Sequence, residues 1–143
     1  MATVLDVAAY ILVRTGPMTA MKLQKLVYYA QAWSLVFDNA PIFKNPIEAW
    51  ANGPVVPALY EAHRGQFTLC RDDIPGHKTA LSPSQRRTVD AVIKHYGHRT
   101  PQWLSGLTHA EPPWKEARRG LRAGQRGHVE ITHAAMAEYY GSL

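Results

Sequence analysis

Apolar residues in the first quarter of the chain recur at helical spacing. Val4, Ala8, Ile11 and Leu12 share one face of a first helix, which Thr3 and Asp6 cap and Gly16-Pro17 ends. Thr19 caps a second. There Leu23, Leu26, Val27, Ala30, Ser34 and Phe37 form one ladder, while Lys22, Lys25 and Gln31 fall largely off it. Tyr28, Tyr29 and Trp33 widen the apolar surface beyond a single stripe. This strongest helix of the chain is therefore expected between neighbours, with most of its rings in the core.

Asp38-Asn39-Ala40-Pro41 breaks that pattern. Ile42-Phe43 and then Ile47-Glu48-Ala49-Trp50 alternate well enough for one or two short strands, and His128 to Ile131 supplies an extended partner for their backbone groups. Residues 49–60 combine a large aromatic, two prolines and a tight turn. Asn52-Gly53 supplies the positive φ of a reversal, Pro54 fixes the next φ, and Pro57 suits a first helical turn. Gly53, Pro54 and Pro57 are thus structural residues. Ala58 to Arg64 reads as a short helix stopped by Gly65, and Phe67 to Leu81, with Pro75-Gly76 at its centre, reads as a surface loop.

Ser82-Pro83-Ser84-Gln85 opens another helix with a capping serine, proline at the first position and glutamine at the third, and Gly97 stops it. Thr100-Pro101 repeats the start signal for a helix to about His109. Pro112-Pro113 interrupts, Trp114 to Arg119 gives a further turn of helix, and Thr132 caps the last, Ala134 to Tyr140. The expected fold is mainly α: a compact single-domain helical bundle of six to eight helices, spanning residues 1–143, with a small two- or three-stranded β element.

Composition agrees with one core. A chain of 143 residues that is 46% hydrophobic can bury roughly two thirds of its unfolded surface. The longest amino-terminal apolar run, Val4 to Val13, contains Asp6 and lacks a basic leader, and no run reaches membrane-spanning length. The reading is a protein without export signal or membrane partner. The single cysteine, Cys70, has no disulfide partner and fits a reducing cytoplasm. Sixteen Lys and Arg against 11 Asp and Glu give a net charge of +5, and the excess concentrates in Lys115, Arg118, Arg119, Arg122 and Arg126, against Glu116 alone. Such a window attracts an acidic protein surface or nucleic acid.

Candidate chemistry is sparse. None of the seven histidines forms the His-Glu-x-x-His spacing of a zinc hydrolase, and no nucleophile elbow, phosphate loop or dinucleotide fingerprint occurs. No catalytic, cofactor-binding or metal residue is assigned. A helix-turn-helix is disfavoured because Tyr28, Tyr29 and Trp33 dominate the helix after Gly16-Pro17.

The run Lys22-Leu23-Gln24-Lys25-Leu26-Val27-Tyr28-Tyr29-Ala30-Gln31-Ala32-Trp33 resembles the Panacea domain, the SocA-like antitoxin family often described as phage-associated protein. The resemblance continues through Pro41-Ile42-Phe43, Glu48-Ala49-Trp50, Gly53-Pro54-Val55-Val56-Pro57, Leu59-Tyr60, Tyr96-Gly97, Leu107-Thr108-His109 and Pro113-Trp114. It implies a non-enzymatic cytoplasmic antitoxin that neutralises a cognate toxin encoded by an adjacent gene through direct binding. For SocA-like members it also implies a ClpXP adaptor role, with ClpX as a second partner. The alternative left open by the residues is a basic nucleic-acid-binding or phage-associated regulatory protein. A partner-holding surface needs aromatic or arginine anchors. The candidates are a concave surface lined by Trp33, Trp50, Tyr60 and Trp114, edged by Arg118, Arg119 and Arg122; Trp33 and Trp50 fit equally well as core.

Overall fold

The computed structural model describes all 143 residues. Helix α1 (Val4–Thr15) begins in a complete capping box, with Thr3 Oγ1 accepting from the Asp6 N–H and Asp6 returning the bond to the Thr3 N–H. Strand β1 (Met18–Thr19) leads into α2 (Ala20–Phe37), capped by Thr19. The strands β2 (Ile47–Trp50) and β3 (Gly53–Val55) form a hairpin, followed by α3 (Pro57–His63), β4 (Thr68–Leu69) and a 3-10 turn at Arg71–Asp73. Then come α4 (Pro83–Tyr96), α5 (Pro101–Ala110), α6 (Pro112–Ala117), β5 (Glu130–Ile131) and α7 (His133–Gly141). Ser82, Thr100 and Thr132 cap α4, α5 and α7. The fold is mainly α, with seven α-helices inside the expected six to eight.

Two small antiparallel sheets brace the helices. One pairs β1 with β4, Met18 facing Leu69; the other has the order β3-β2-β5, with Trp50 facing Gly53 and Ile47 facing Ile131. The extended piece expected at His128 to Ile131 therefore pairs where anticipated, though only Glu130 and Ile131 form the ladder. Pro54 lies on β3, an edge strand, where its missing N–H removes no interior ladder bond.

Helix α2 is the axis of the molecule, packed by α1, α4, α5 and α7. Thirty-one buried apolar residues, from Ala2 to Tyr140, make one contiguous core around it. Tyr28 and Tyr29 are wholly buried, as their width predicted, whereas Phe37 at the end of the ladder is 61% exposed.

The structure corrects three expectations. Lys25 and Gln31, read as falling largely off the apolar ladder, are 2% and 0% exposed, as buried as the ladder beside them. Phe67 to Leu81 lies mostly at the surface as expected but is not a free loop, because it contains β4 and a 3-10 turn and because Leu69, Ile74 and Leu81 enter the core. The Arg71 guanidinium ties this segment internally to the carbonyls of Ile74 and Gly76, and the His77 N–H donates to Asp6 Oδ1 at 2.8 Å. Ile42 and Phe43 are buried but form no strand; side-chain bonds from Gln31 replace the ladder.

Candidate functional site

The buried polar residues of α2 each hold a loop. Gln31 accepts from the Ile42 N–H at 2.8 Å and donates to the Phe43 carbonyl at 2.7 Å. Gln24 Oε1 accepts from the Val56 N–H at 2.9 Å, which fixes its amide orientation, so its Nε2 donates at 3.0 Å to His63 Nε2. Burial holds the His63 imidazole below its usual range. It stays neutral, with its proton on Nδ1. Lys25 Nζ donates at 3.4 Å to the Pro54 carbonyl. A helix that reads as polar at these positions thus anchors the β-hairpin and the start of α3, because buried backbone groups outside ladders need side-chain partners.

These anchors build a recess of about 500 Å³ on the hairpin side of α2. Ala20, Met21, Gln24 and Lys25 line it from α2, Trp50 to Asn52 from the hairpin, Tyr60 and His63 from α3, and Arg126 to His128 from the segment before β5. Trp50 and Tyr60 meet edge to face with centroids 5.0 Å apart, and His128 meets Trp50 at 5.6 Å. Beside it, the Ala20 N–H donates to the Phe67 carbonyl at 2.9 Å, and the Phe67 ring is 79% exposed.

Of the seven residues expected at a partner surface, the structure brings Trp50 and Tyr60 together and sets Trp114 behind them. Trp114 Nε1 donates to the Trp50 carbonyl at 2.8 Å, and its ring stacks on His109 at 4.0 Å. Trp33 lies elsewhere. It donates to the Tyr96 hydroxyl at 3.0 Å and lines a separate groove with Phe37, Val92 and Tyr96.

Arg118 is a correction. It is 6% exposed rather than an edge anchor, and its guanidinium donates to the carbonyls of Ala49 (3.1 Å), Arg122 (3.4 Å) and Gln125 (2.5 Å) while lying over Trp114. The planar fork satisfies carbonyls that no ladder reaches, so Arg118 straps residues 122–125 onto the hairpin. Arg119 and Arg122 are exposed, and Arg126 reaches the recess. Gly53, Pro54 and Pro57 hold the expected turn. Within this turn only Gly53 has positive φ (126°) and Asn52 does not, while Ala51 and Asn52 form the two-residue loop, and α3 starts at Pro57.

Sequence reasoning missed Lys25, Gln24 and His63 at the recess and Glu111 in the core. Glu111 Oε1 accepts from both Tyr29 and Tyr140 at 2.7 Å, and Tyr140 meets Tyr28 at 3.0 Å. Burial raises the Glu111 carboxyl despite those two donors. The three tyrosines stay protonated because burial pushes their phenols up. No cluster of three or more His, Cys, Asp or Glu side chains suits a metal ion, and no helix is long and apolar enough to cross a membrane.

The fold defines a mainly α protein organised on one buried helix, with a hairpin and a basic segment framing an aromatic recess. Residues 23–115 match the family described as Antitoxin SocA-like, Panacea domain. The chain belongs to that family. It is similar to Antitoxin SocA of Caulobacter vibrioides (strain NA1000 / CB15N), 28% identical over 110 residues that cover 68% of this chain and 58% of that protein. This chain therefore spans less than two thirds of that relative's length. No solved structure matches it.

Proposed function

We propose that this protein is an antitoxin that neutralises a toxin encoded by an adjacent gene by binding it directly, with residues 1–143 acting as one unit. Membership of the SocA-like Panacea family supports the antitoxin role and points to a regulatory rather than enzymatic activity. The observation that carries direct binding is the recess beside exposed Phe67: a half-buried Trp50–Tyr60 pair, a basic rim and an exposed apolar flank are the makings of a protein-binding hot spot. Trp50 and Tyr60 serve as anchors. Trp114 sets the hairpin that presents them, and Arg119 and Arg122 steer an acidic partner surface. Trp33 is a secondary anchor on its own groove. Delivery of the bound toxin to ClpXP in the cytoplasm would use a face left free in that complex.

Expression of the neighbouring gene alone should arrest growth, and co-expression of this chain should restore it. Trp50→Ala combined with Tyr60→Ala should abolish rescue while the protein remains folded. Full rescue by that variant would refute the proposed face. Rescue retained in cells lacking ClpX would restrict the activity to direct binding.

A further inference from the structure

The recess holds a cation with no anion to match it. Lys25 is 2% exposed, its only hydrogen bond is the long one to the Pro54 carbonyl, and two of its three N–H donors have no partner. Of the 14 residues lining the recess none is Asp or Glu; Arg126 and His128 stand at its rim, and the adjacent Glu48 carboxylate is already used, accepting from Trp50 Nε1 at 2.8 Å and lying 3.5 Å from His128 Nδ1. Burial lowers the Lys25 ammonium to about 8 with no neighbouring carboxylate to hold it up, and the titratable group facing it is His109 of α5, whose imidazole burial and the Lys25 charge both push down. An ammonium kept from water and left two donors short is an unsatisfied charge, since buried charges are ordinarily paired.

We propose that Lys25 is the receptor for one carboxylate side chain, an Asp or Glu of the bound toxin, which passes between the Trp50–Tyr60 pair and the Arg126–His128 rim to reach it. The inference rests on the antitoxin reading and names the chemistry of its central contact. The other polar groups of the floor are already used: the Gln24 amide is bonded to Val56 and His63. A single ammonium with two free donors matches a monoanionic, two-oxygen group better than a phosphate, whose oxygens call for several donors. A chain-terminal carboxylate is captured by backbone N–H nests, and the recess places a side-chain ammonium there instead. Met21 lines the opening and is exposed, and exposed Phe67 is joined through its carbonyl to Ala20 of the lining, so a partner crosses the opening and lowers a side chain into it.

Gly53 keeps the Lys25 head in place. A Cβ at residue 53 would stand 2.5 Å from Lys25 Cε and 3.1 Å from its Nζ. Only a residue without a side chain lets the hairpin pass over the lysine.

The test is titration of Lys25, followed by its ¹³Cε resonance, in the free protein and in the complex with the toxin. Inorganic phosphate is added to the free protein as a separate arm. The free ammonium should titrate near 8. In the complex it should rise by at least one pH unit, and one Asp→Asn or Glu→Gln replacement in the toxin should cancel the rise. Lys25→Met, checked for native circular dichroism, should weaken toxin binding about 10- to 100-fold. A toxin that binds with the Lys25 titration unchanged overturns the inference and leaves the antitoxin reading intact. A rise that survives all single acidic replacements, or an equal rise with phosphate, overturns the carboxylate assignment. A neighbouring protein that neither binds nor arrests growth removes the antitoxin reading and this inference with it.

Discussion

Gly53 lies across the head of Lys25 so closely that a single methyl on residue 53 would collide with the lysine's last methylene. The pair joins the hairpin turn to the central helix, and it links two motifs 28 positions apart that sequence alone treats separately.

Gly53→Ala should destabilise the fold through two effects, the positive φ of 126° and the contact with Lys25. The expected loss is about 1–3 kcal/mol. Urea unfolding of the single variant and of Gly53→Ala with Lys25→Ala separates the effects. The second substitution should return the contact part of the loss and leave the φ part.

Lys25 makes stability depend on pH in the alkaline range. Its folded value of about 8 lies below the ordinary lysine value of 10.5, so between these the unfolded chain holds the proton that the folded chain has released. Stability gained from this group therefore increases as pH rises from about 8 to 10.5, and the burial cost is full below 8. That cost is about 3 kcal/mol. Lys25→Met should be more stable than the parent at pH 7, with the difference shrinking at pH 10; a pH-independent difference would contradict the burial argument.

Tyr140→Phe should cost about 1–3 kcal/mol, because Glu111 then keeps only the Tyr29 donor inside the core. Amide exchange in α7 should speed up more than in α4, since Tyr140 is the link from α7 to that carboxylate. Glu111→Gln keeps the accepting oxygen and removes the charge. As burial raises the folded carboxyl above its unfolded value, the parent loses stability relative to this variant as pH climbs above about 4.5.

Arg118→Ala should lower stability by about 2–4 kcal/mol and release residues 122–125 to fast amide exchange, since three carbonyls lose their donor. Arg119→Ala and Arg122→Ala should stay within about 0.5 kcal/mol of the parent. Their effect belongs in the toxin association rate and its salt dependence.

Helix ends were readable in the sequence because caps act locally. Thr3, Thr19, Ser82, Thr100 and Thr132 each accept the backbone N–H three residues on. The family was readable too, from Lys22 to Trp33 onward. The burial of Gln24, Lys25 and Gln31 was not, because each is a good exposed-helix residue and becomes buried only where a distant loop needs its side chain. Arg118 misled for the same reason: a basic window looks solvated until the carbonyls of Ala49 and Gln125 arrive around one of its members. Phe67 to Leu81 has the Pro75-Gly76 pair of a loop, and its few apolar residues showed no period to announce their burial. The recess joins residues from positions 20 to 128, so no local pattern could assemble it.

The central claim is that the Trp50–Tyr60 recess holds a toxin encoded next door. Its most direct measurement is calorimetric binding of the purified neighbouring protein to the parent chain and to Trp50→Ala/Tyr60→Ala. The account predicts a one-to-one complex with the parent and at least a hundredfold loss of affinity in the folded double variant. Equal affinity for both proteins, or no complex with the parent, would contradict it.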